Sequence, residues 1–191
     1  MVKHVQNSFL MIAAFTLICG VAYPLLVTGI AAVIAPYQRN GSMIVRNGQE
    51  VGSAFIGQSL TSERYFHGRP SAVGYQPLPS GGSNRTVASI GFRADIQKLR
   101  DSLAILNGVK GASIPSDLVM ASASGIDPHI SPQAAHVQAS RILNARGYAS
   151  HRAQDIDRII TESTQDPFLG IFGQARVNVL QLNLALDAAL P

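Results

Sequence analysis

The sequence predicts an α/β chain of mixed α+β type, in which one N-terminal transmembrane helix precedes a single soluble domain. Two observations support this fold class. No Asp, Glu, Lys, Arg or His occurs in residues 5–38, and residues 9–35 are almost wholly apolar. From Arg39 onward, charges return, Gly, Pro and Ser become frequent, and segments with helical and with alternating apolar spacing follow one another.

The apolar run is long enough to cross a membrane. As a helix, residues 9–35 would measure about 40 Å, which exceeds the roughly 30 Å of bilayer hydrocarbon. A cleavable signal peptide is the alternative, because Val33-Ile34-Ala35 resembles a cleavage site. The run is longer than the apolar core of about 7 to 15 residues in such peptides, and Pro36 would directly follow the cut. We therefore expect a retained helix, with residues 1–8 before it, 9–35 as the span and 39–191 as the soluble domain.

One face of this helix is predicted to pack against other helices. Thr16, Gly20, Pro24 and Thr28 recur every four residues, and small residues at that spacing let a neighbouring helix approach closely. The alternative is that Gly and Pro are simply common in membrane helices. Charge does not fix the orientation of the helix, because basic residues lie on both sides of it.

The remainder carries clear strand and helix signals. Asn47-Gly48 predicts a tight β-hairpin between residues 43–46 and 49–56. Residues 176–190 begin with apolar alternation and continue with helical spacing, which predicts a strand that runs into a helix. Three further helices are predicted from periodicity and capping signals: residues 92–107 ending at Gly108, a helix with Ser131 as N-cap and Pro132 at N1 that ends at Gly147, and residues 150–163.

Two loops are the predicted location of function. Residues 61–89 are dense in Gly, Pro and Ser, and so long an irregular segment is uncommon in a compact domain unless it binds something or is disordered. Residues 121–131 form a second loop that leads directly into the Ser131 cap. The candidate residues discussed below lie mainly in these loops.

Composition argues against several kinds of site. The formal net charge is +4, but the basic residues are scattered and few aromatic residues lie among them, so no nucleic-acid partner is expected. The only cysteine, Cys19, lies in the span, so the soluble part holds no disulfide and no cysteine metal site. No metal site is predicted from the histidines either, because none shows paired ligand spacing: His67, His129, His136 and His151.

Several motifs, in order along nearly the whole chain, resemble those of a known family. They are Tyr23-Pro24-Leu25 with Thr28-Gly29-Ile30, Gly52-Ser53 with Ile56-Gly57-Gln58, residues 65–71, Ser80-Gly81-Gly82-Ser83-Asn84, Asp117-Leu118-Val119 with residues 121–131, and residues 176–180 with 182–187. In these motifs the chain resembles the C chain of the bacterial potassium-transporting P-type ATPase, the KdpC family.

This resemblance implies a non-catalytic accessory subunit of the high-affinity, ATP-driven potassium uptake pump, the Kdp system. The implied partners are the potassium-translocating subunit, the ATP-hydrolysing subunit and membrane lipid. The implied location is the bacterial inner membrane, with a cytoplasmic N-terminus and a periplasmic soluble domain. The resemblance further implies a catalytic chaperone that raises the ATP affinity of the hydrolysing subunit, an association with ATP and nucleotide binding, and no tightly bound cofactor.

The loop Ser80-Gly81-Gly82-Ser83-Asn84 is a candidate nucleotide-binding or partner-docking loop. Its first four residues resemble the signature of ABC transporter ATPases, and backbone amides in such a turn can hold an anion. However, the sequence has no Walker-type phosphate loop, and a domain outside the inner membrane meets little ATP. We therefore favour close backbone packing or partner docking over direct contact with ATP.

Arg69, Asp127, His129 and Arg176 are candidate partner contacts. The two arginines are also candidates for ion pairs, with Asp117, Asp127 and Asp187 as possible partners. A solvated arginine in each case is the simpler alternative.

A function of another class is a membrane-tethered hydrolase that uses Ser124, Asp127 and His129. No G-x-S-x-G nucleophile motif occurs in the sequence, and a catalytic triad is defined by geometry rather than by composition. A turn at Asp127-Pro128 and a helix cap at Ser131 explain these residues without catalysis.

Overall fold

The computed structural model describes residues 2–190, except for the side chain of Ser150. The chain divides into two compact units between Met43 and Ile44. The first unit is helical, and the second contains helices and two small sheets. This arrangement confirms the predicted fold class of a mixed α and β domain after one long N-terminal apolar helix.

The first unit is built on a continuous helical segment, Val2–Ile34, that is long and apolar enough to cross a membrane. It consists of α1 (Val2–Phe15), a π-helical stretch (Thr16–Ala22) and α2 (Tyr23–Ile34), and a short α3 (Pro36–Arg39) follows. The segment begins seven residues before the predicted span at residue 9. Its most apolar window is not buried by any other part of the described chain.

The π-helical stretch is explained by Pro24. Proline has no amide hydrogen, so it cannot donate to the carbonyl of Gly20 as a regular helix would require. The preceding turn is wider, and the amide of Tyr23 donates to the carbonyl of Ile18, five residues back. The helix therefore changes its periodicity within the face that sequence spacing assigned to Thr16, Gly20, Pro24 and Thr28.

The predicted hairpin lies at the start of the second unit, and its first residue, Met43, is the last residue of the first unit. Strands β1 (Met43–Arg46) and β2 (Gln49–Ser53) pair with each other. Asn47 and Gly48 between them have φ values of 52° and 78°, as a two-residue turn of type I′ requires. The second strand ends three residues earlier than predicted.

The four helices of this unit match the predicted positions closely. The α4 helix (Ile90–Asn107) ends at Gly108, and α5 (Pro132–Arg146) ends at Gly147; both glycines adopt the left-handed conformation. The Ser131 hydroxyl accepts from the Ala134 amide and so caps α5. The other two helices are α6 (Ala153–Ser163), which follows a 3₁₀ turn, and α7 (Val179–Ala189).

A three-stranded antiparallel sheet lies among these helices. Its central strand is β5 (Arg176–Asn178), which runs directly into α7 as predicted, and its edges are β3 (His129–Ile130) and β4 (Thr164–Gln165). The register pairs His129 with Asn178 and Thr164 with Val177. The two edge strands are not predicted from the sequence, because two residues are too few to show an alternating pattern.

The hydrophobic core lies between this sheet and α4 to α7. Ile156, Ile159 and Ile160 of α6 are buried, as their helical spacing predicts. The largest fully buried apolar side chains are Phe66, Ile142, Ile156, Ile160, Leu182, Leu186 and Leu190. Leu190 directly follows α7, and Phe66 is the one member of this set that comes from the long irregular loop.

Buried polar side chains anchor this irregular loop. Asn183 on α7 accepts from the Phe66 amide at 2.8 Å and donates to the Phe66 carbonyl at 3.0 Å. Gln138 on α5 does the same for His67, with distances of 2.8 and 3.1 Å. Arg141, also on α5, donates to the carbonyls of residues 63 and 65. Side chains therefore satisfy backbone groups that a neighbouring strand would satisfy in a sheet.

Asp187 on α7 connects three other parts of the second unit. Its carboxylate accepts from Arg46 at 2.9 Å, from Arg146 at 2.7 Å and from the Tyr65 hydroxyl at 3.2 Å. Burial acts to raise the pKa of Asp187, but the hydrogen bonds from Arg146, Arg46 and Tyr65 and the charge of Arg146 outweigh it and hold the pKa below its ordinary value. The expectation that Asp187 pairs with Arg69 or Arg176 is therefore wrong.

We predict that Asn183→Leu lowers the free energy of unfolding by about 2 to 4 kcal/mol. Leucine is similar in size but leaves the buried amide and carbonyl of Phe66 without partners, and each orphaned group costs about 1 to 3 kcal/mol. Urea unfolding of the full chain in detergent measures the change. Gln181→Leu, at an exposed position on the same helix, is the matched control and should shift stability by less than about 0.5 kcal/mol. Equal effects of the two variants would contradict the anchoring role.

Candidate functional site

A cleft of about 500 Å³ brings together the four candidate partner contacts. It lies beside β3, the N-terminus of α5 and the residues that lead into β5. Arg69, Asp127, His129 and Arg176 all line it, together with Asp117 and Ser131. Residues that are 107 positions apart in sequence, from Arg69 to Arg176, therefore share one surface.

Arg69, Asp127 and His129 form the charged centre of this cleft. Arg69 Nη1 lies 3.3 Å from one carboxylate oxygen of Asp127, and His129 Nδ1 lies 3.1 Å from the other. The backbone amide of His129 also donates to Asp127, at 3.0 Å. The carboxylate is thus oriented from both sides, and it fixes the turn that leads into β3.

The electrostatics of Asp127 follow from these contacts. The hydrogen bond from the His129 side chain is the largest influence and lowers the pKa of Asp127. Burial acts in the opposite direction, while the His129 amide and the charge of Arg69 add to the lowering. Asp127 is therefore ionised at neutral pH and neutralises Arg69.

Arg69 also reaches the second loop through its other nitrogens. Nη2 lies 3.4 and 3.5 Å from the carbonyls of Met120 and Ala121. Its Nε is buried without a hydrogen-bond partner among the described residues. Its own carbonyl accepts from the Tyr75 hydroxyl. Arg69 therefore joins the two loops and contributes to the cleft wall at the same time.

The other charged residues of the cleft differ in how they are held. Asp117 accepts from the Ser131 amide at 2.7 Å, next to the N-terminus of α5, where a negative charge is favourable. Arg176 is exposed, and its Nε donates to Gln165 at 3.2 Å. Of the ion pairs expected for these arginines, the structure contains the one between Arg69 and Asp127, and Arg176 has an amide partner instead.

The loop Ser80-Gly81-Gly82-Ser83-Asn84 packs backbone to backbone against residues 121–125. The Gly81 amide donates to the Ser124 carbonyl at 2.9 Å. A Cβ at Gly82 would lie 3.2 Å from the Ala123 carbonyl oxygen, and a Cβ at Gly125, which has φ 70°, would lie only 2.5 Å from the Gly81 carbonyl oxygen. Small residues are needed on both sides of this contact.

The Gly81 amide of this loop is not available to a phosphate. An anion site needs backbone amides that point at the ligand, and the Gly81 amide is already bonded to Ser124.

The structure does not assemble the hydrolase alternative. Asp127 and His129 are in contact, but the Ser124 hydroxyl accepts from the Ile126 amide at 3.3 Å and lies 3.5 Å from the Ser122 hydroxyl. Among the described residues, no hydrogen bond links Ser124 to His129. A triad requires that bond, because the imidazole must take the serine proton.

Two further features concern metal binding and the surface of the apolar helix. Within residues 2–190, no group of three or more His, Cys, Asp or Glu side chains is arranged to hold a metal ion. In the apolar helical segment Val2–Ile34, a Cβ added at Gly20 would lie 3.9 Å from the Thr16 methyl.

The polar residues that position the cleft have only a weak signal in the sequence. Gln138, Arg141 and Asn183 occur at helical positions that sequence reasoning leaves to solvent, yet all three are buried. A partial signal is their spacing: Gln138 and Arg141 are three apart and share the α5 face that also carries buried Ile142.

Comparison with known proteins decides the family. The model of the family described as K+-transporting ATPase, c chain (KdpC) matches residues 5–188. The chain belongs to the KdpC family. Relatives named potassium-transporting ATPase KdpC subunit include those of Geobacter sulfurreducens, at 48% identity over 99% of this chain and 100% of the relative, Gemmatimonas aurantiaca, at 46% over 98% and 94%, and Cereibacter sphaeroides strain KD131, at 46% over 99% and 99%.

Membership of the KdpC family confirms the resemblance seen in the motifs. The family match extends over both the apolar helix and the second unit. It supports an accessory subunit of a potassium-transporting ATPase complex, which has one N-terminal helix suited to a single membrane crossing.

We predict that Gly125→Ala separates the two loops and lowers the free energy of unfolding by about 2 to 3 kcal/mol. The new Cβ would lie 2.5 Å from the Gly81 carbonyl oxygen and 2.6 Å from Val73 Cγ2, in addition to the cost of a positive φ. Gly108→Ala is the matched control, because it has φ 65° and open space around it. It should cost only about 1 kcal/mol. Urea unfolding measures both, and equal costs would show that the loop contact is unimportant.

We predict that Asp127→Asn destabilises the chain at neutral pH and that the difference disappears in acid. A lowered pKa means that ionised Asp127 contributes stability above about pH 4, and that this contribution is lost as the pH falls through the lowered pKa. Urea unfolding at pH 7 and at successively lower pH measures the gap, which is the difference in free energy of unfolding between the variant and the parent chain. Asp166→Asn, at an exposed position, is the control. A gap that stays constant down to pH 2 would contradict the ion-pair assignment.

Proposed function

We propose that this chain is a non-catalytic accessory subunit of the high-affinity, ATP-driven potassium uptake pump. Its helix anchors it in the bacterial inner membrane, its N-terminus is cytoplasmic, and its second unit lies in the periplasm. There it contacts the potassium-translocating subunit and stabilises the assembled pump together with the ATP-hydrolysing subunit. The observation that carries this proposal is the cleft, where charged residues from distant parts of the chain share one exposed surface without forming a catalytic triad.

The arrangement of charges in the cleft suits the docking of a partner protein better than it suits catalysis. Asp127 is held on both sides by Arg69 and His129, so its carboxylate is neutralised and fixed. Arg176 is exposed at the rim, where a partner's carboxylate could reach it. Fixed charges of this kind select a partner and orient it at little entropic cost.

The second part of the proposal is an indirect effect on ATP. The chain acts as a catalytic chaperone: it raises the ATP affinity of the hydrolysing subunit without holding ATP or any tightly bound cofactor itself. The packing of Ser80, Gly81, Gly82, Ser83 and Asn84 against residues 121–125 supports an indirect role, because the amide of Gly81 is already used.

We predict that Arg176→Glu reduces recovery of the chain with an affinity-tagged potassium-translocating subunit by about tenfold, because reversing a charge at an interface rim repels the matching group. The KM for ATP of the recovered pump, measured by potassium-stimulated hydrolysis, should rise in parallel as the subunit is lost. Arg93→Glu, which reverses an exposed charge on α4, is the control and should leave both measurements unchanged.

Three outcomes would contradict the proposal. Unchanged recovery of both Arg176→Glu and the double variant Arg69→Gln/Arg176→Glu would exclude the cleft as the docking surface. Nucleotide that crosslinks to residues 80–84 would show direct contact with ATP. Ester hydrolysis by the isolated chain that is lost in His129→Ala would favour the hydrolase. Location is tested separately: protease added to sealed right-side-out vesicles should digest the second unit.

A further inference from the structure

An apolar tip, defined as residues 167–173, lies in the connection between β4 and β5. Its sequence, Pro-Phe-Leu-Gly-Ile-Phe-Gly, contains no charged side chain and no side chain that can form a hydrogen bond. Phe168, Leu169, Ile171 and Phe172 are 71%, 73%, 78% and 64% exposed. Side chains of this size are usually buried, and four of them at one turn mark a surface that interacts with something.

Most backbone amides of the apolar tip are hydrogen-bonded within the tip. Phe168 and Phe172 each donate to the other's carbonyl, at 2.8 and 2.9 Å. The Gly170 amide donates to the Pro167 carbonyl at 2.9 Å, and the Ile171 amide to Phe168 at 3.2 Å. Four amides of the tip are therefore paired within the tip itself.

One residue of the turn, Leu169, has an unfavourable backbone conformation. Leu169 has φ 55° and Gly170 has φ 72°. A leucine in the left-handed region is uncommon, because its Cβ crowds the following carbonyl. A polar Asn would fit this position more easily, yet a large apolar side chain occupies it and stays exposed.

We propose that the apolar tip inserts into the interfacial layer of the bilayer that holds the chain's own helix. The hydrocarbon beneath that layer offers no hydrogen bonds, so the amides of residues 168, 170, 171 and 172, which are paired within the tip, add little to the cost of entry. A protein partner would be expected to meet polar side chains as well, since interfaces carry about one hydrogen bond per 100 to 200 Å². The tip offers none. Its internal pairing and lack of polar side chains therefore favour lipid over a protein surface.

The tether makes insertion effective even if the tip alone binds lipid weakly. Nine residues, 35–43, separate the end of α2 from the second unit. Fully extended, they span at most about 30 Å. An embedded helix therefore keeps the second unit at high local concentration near the membrane surface. The inference rests on the embedded helix and is independent of the proposed docking through the cleft.

A single tryptophan tests the inference, because the chain contains no Trp. The full chain carrying Phe168→Trp is reconstituted into vesicles of phosphatidylcholine and phosphatidylglycerol, with or without bromine on the acyl chains. We expect the tryptophan emission of the reconstituted variant to lie at a shorter wavelength than that of the same variant unfolded in urea without lipid or detergent. We also expect the brominated lipid to quench it. Ile105→Trp, at a residue of α4 that is 83% exposed, is the matched control and should not be quenched.

Each outcome decides the inference. Quenching of Phe168→Trp, and of Phe172→Trp as a second reporter, but not of Ile105→Trp supports it, provided that circular dichroism shows the parent helix content. Equal emission of tip and control reporters in both lipids would overturn it. A tip reporter that is unquenched in lipid alone but shifts when the other pump subunits are added would also overturn it, because its occupant would then be a protein.

Discussion

The structure of the second unit depends on the hydrogen bonds that Gln138, Arg141 and Asn183 make to the backbone of the loop before α4. A backbone segment can be buried only if its amides and carbonyls find partners. The loop has no neighbouring strand, so helix side chains supply the partners. This pairing allows Phe66 to be fully buried in the core.

The same anchoring determines where the cleft lies. Arg69 follows His67 by two residues, so fixing the backbone of His67 through Gln138 brings the guanidinium within reach of Asp127. The Tyr75 hydroxyl then holds the Arg69 carbonyl, and the Ser71 hydroxyl donates to the Gly125 carbonyl at 2.5 Å. Two irregular loops thus become one rigid wall. Their rigidity suits recognition by contact, because little conformational entropy is lost when a partner binds.

Local signals in the sequence predict the helices and the hairpin well, but they do not predict pairing between residues that are far apart in sequence. Gly108 and Gly147 mark helix ends by a conformation that only glycine adopts easily, and Asn47-Gly48 marks a turn for the same reason. By contrast, β3 and β4 exist only through their pairing with β5. Asp187 shows the same limit for ion pairs: nothing near it in sequence indicates that Arg46, 141 residues away, is its partner.

For the candidate site, too, the sequence predicts the residues but not the contacts that they make. The residue types at Arg69, Asp127, His129 and Arg176 suggested contacts, and the structure places all four on one cleft. The sequence could not show that Ser124 bonds to the Ile126 amide, or that the Gly81 amide is already used, because both facts depend on how the two loops meet. A short motif that resembles a nucleotide loop is therefore explained here by the lack of room for side chains.

An effect on ATP affinity does not require contact with ATP. A subunit that binds one conformation of a pump more tightly than another shifts the population toward that conformation. Any ligand that binds the two conformations with different affinity, such as ATP, is then bound with a changed apparent affinity. A tenfold change in affinity corresponds to about 1.4 kcal/mol of coupling. A close charge pair across a protein interface can contribute about that much or more. The proposed chaperone role therefore needs only a modest difference in docking, which exposed Arg176 and the fixed Arg69–Asp127 pair can supply from the periplasm, where we propose that the second unit lies.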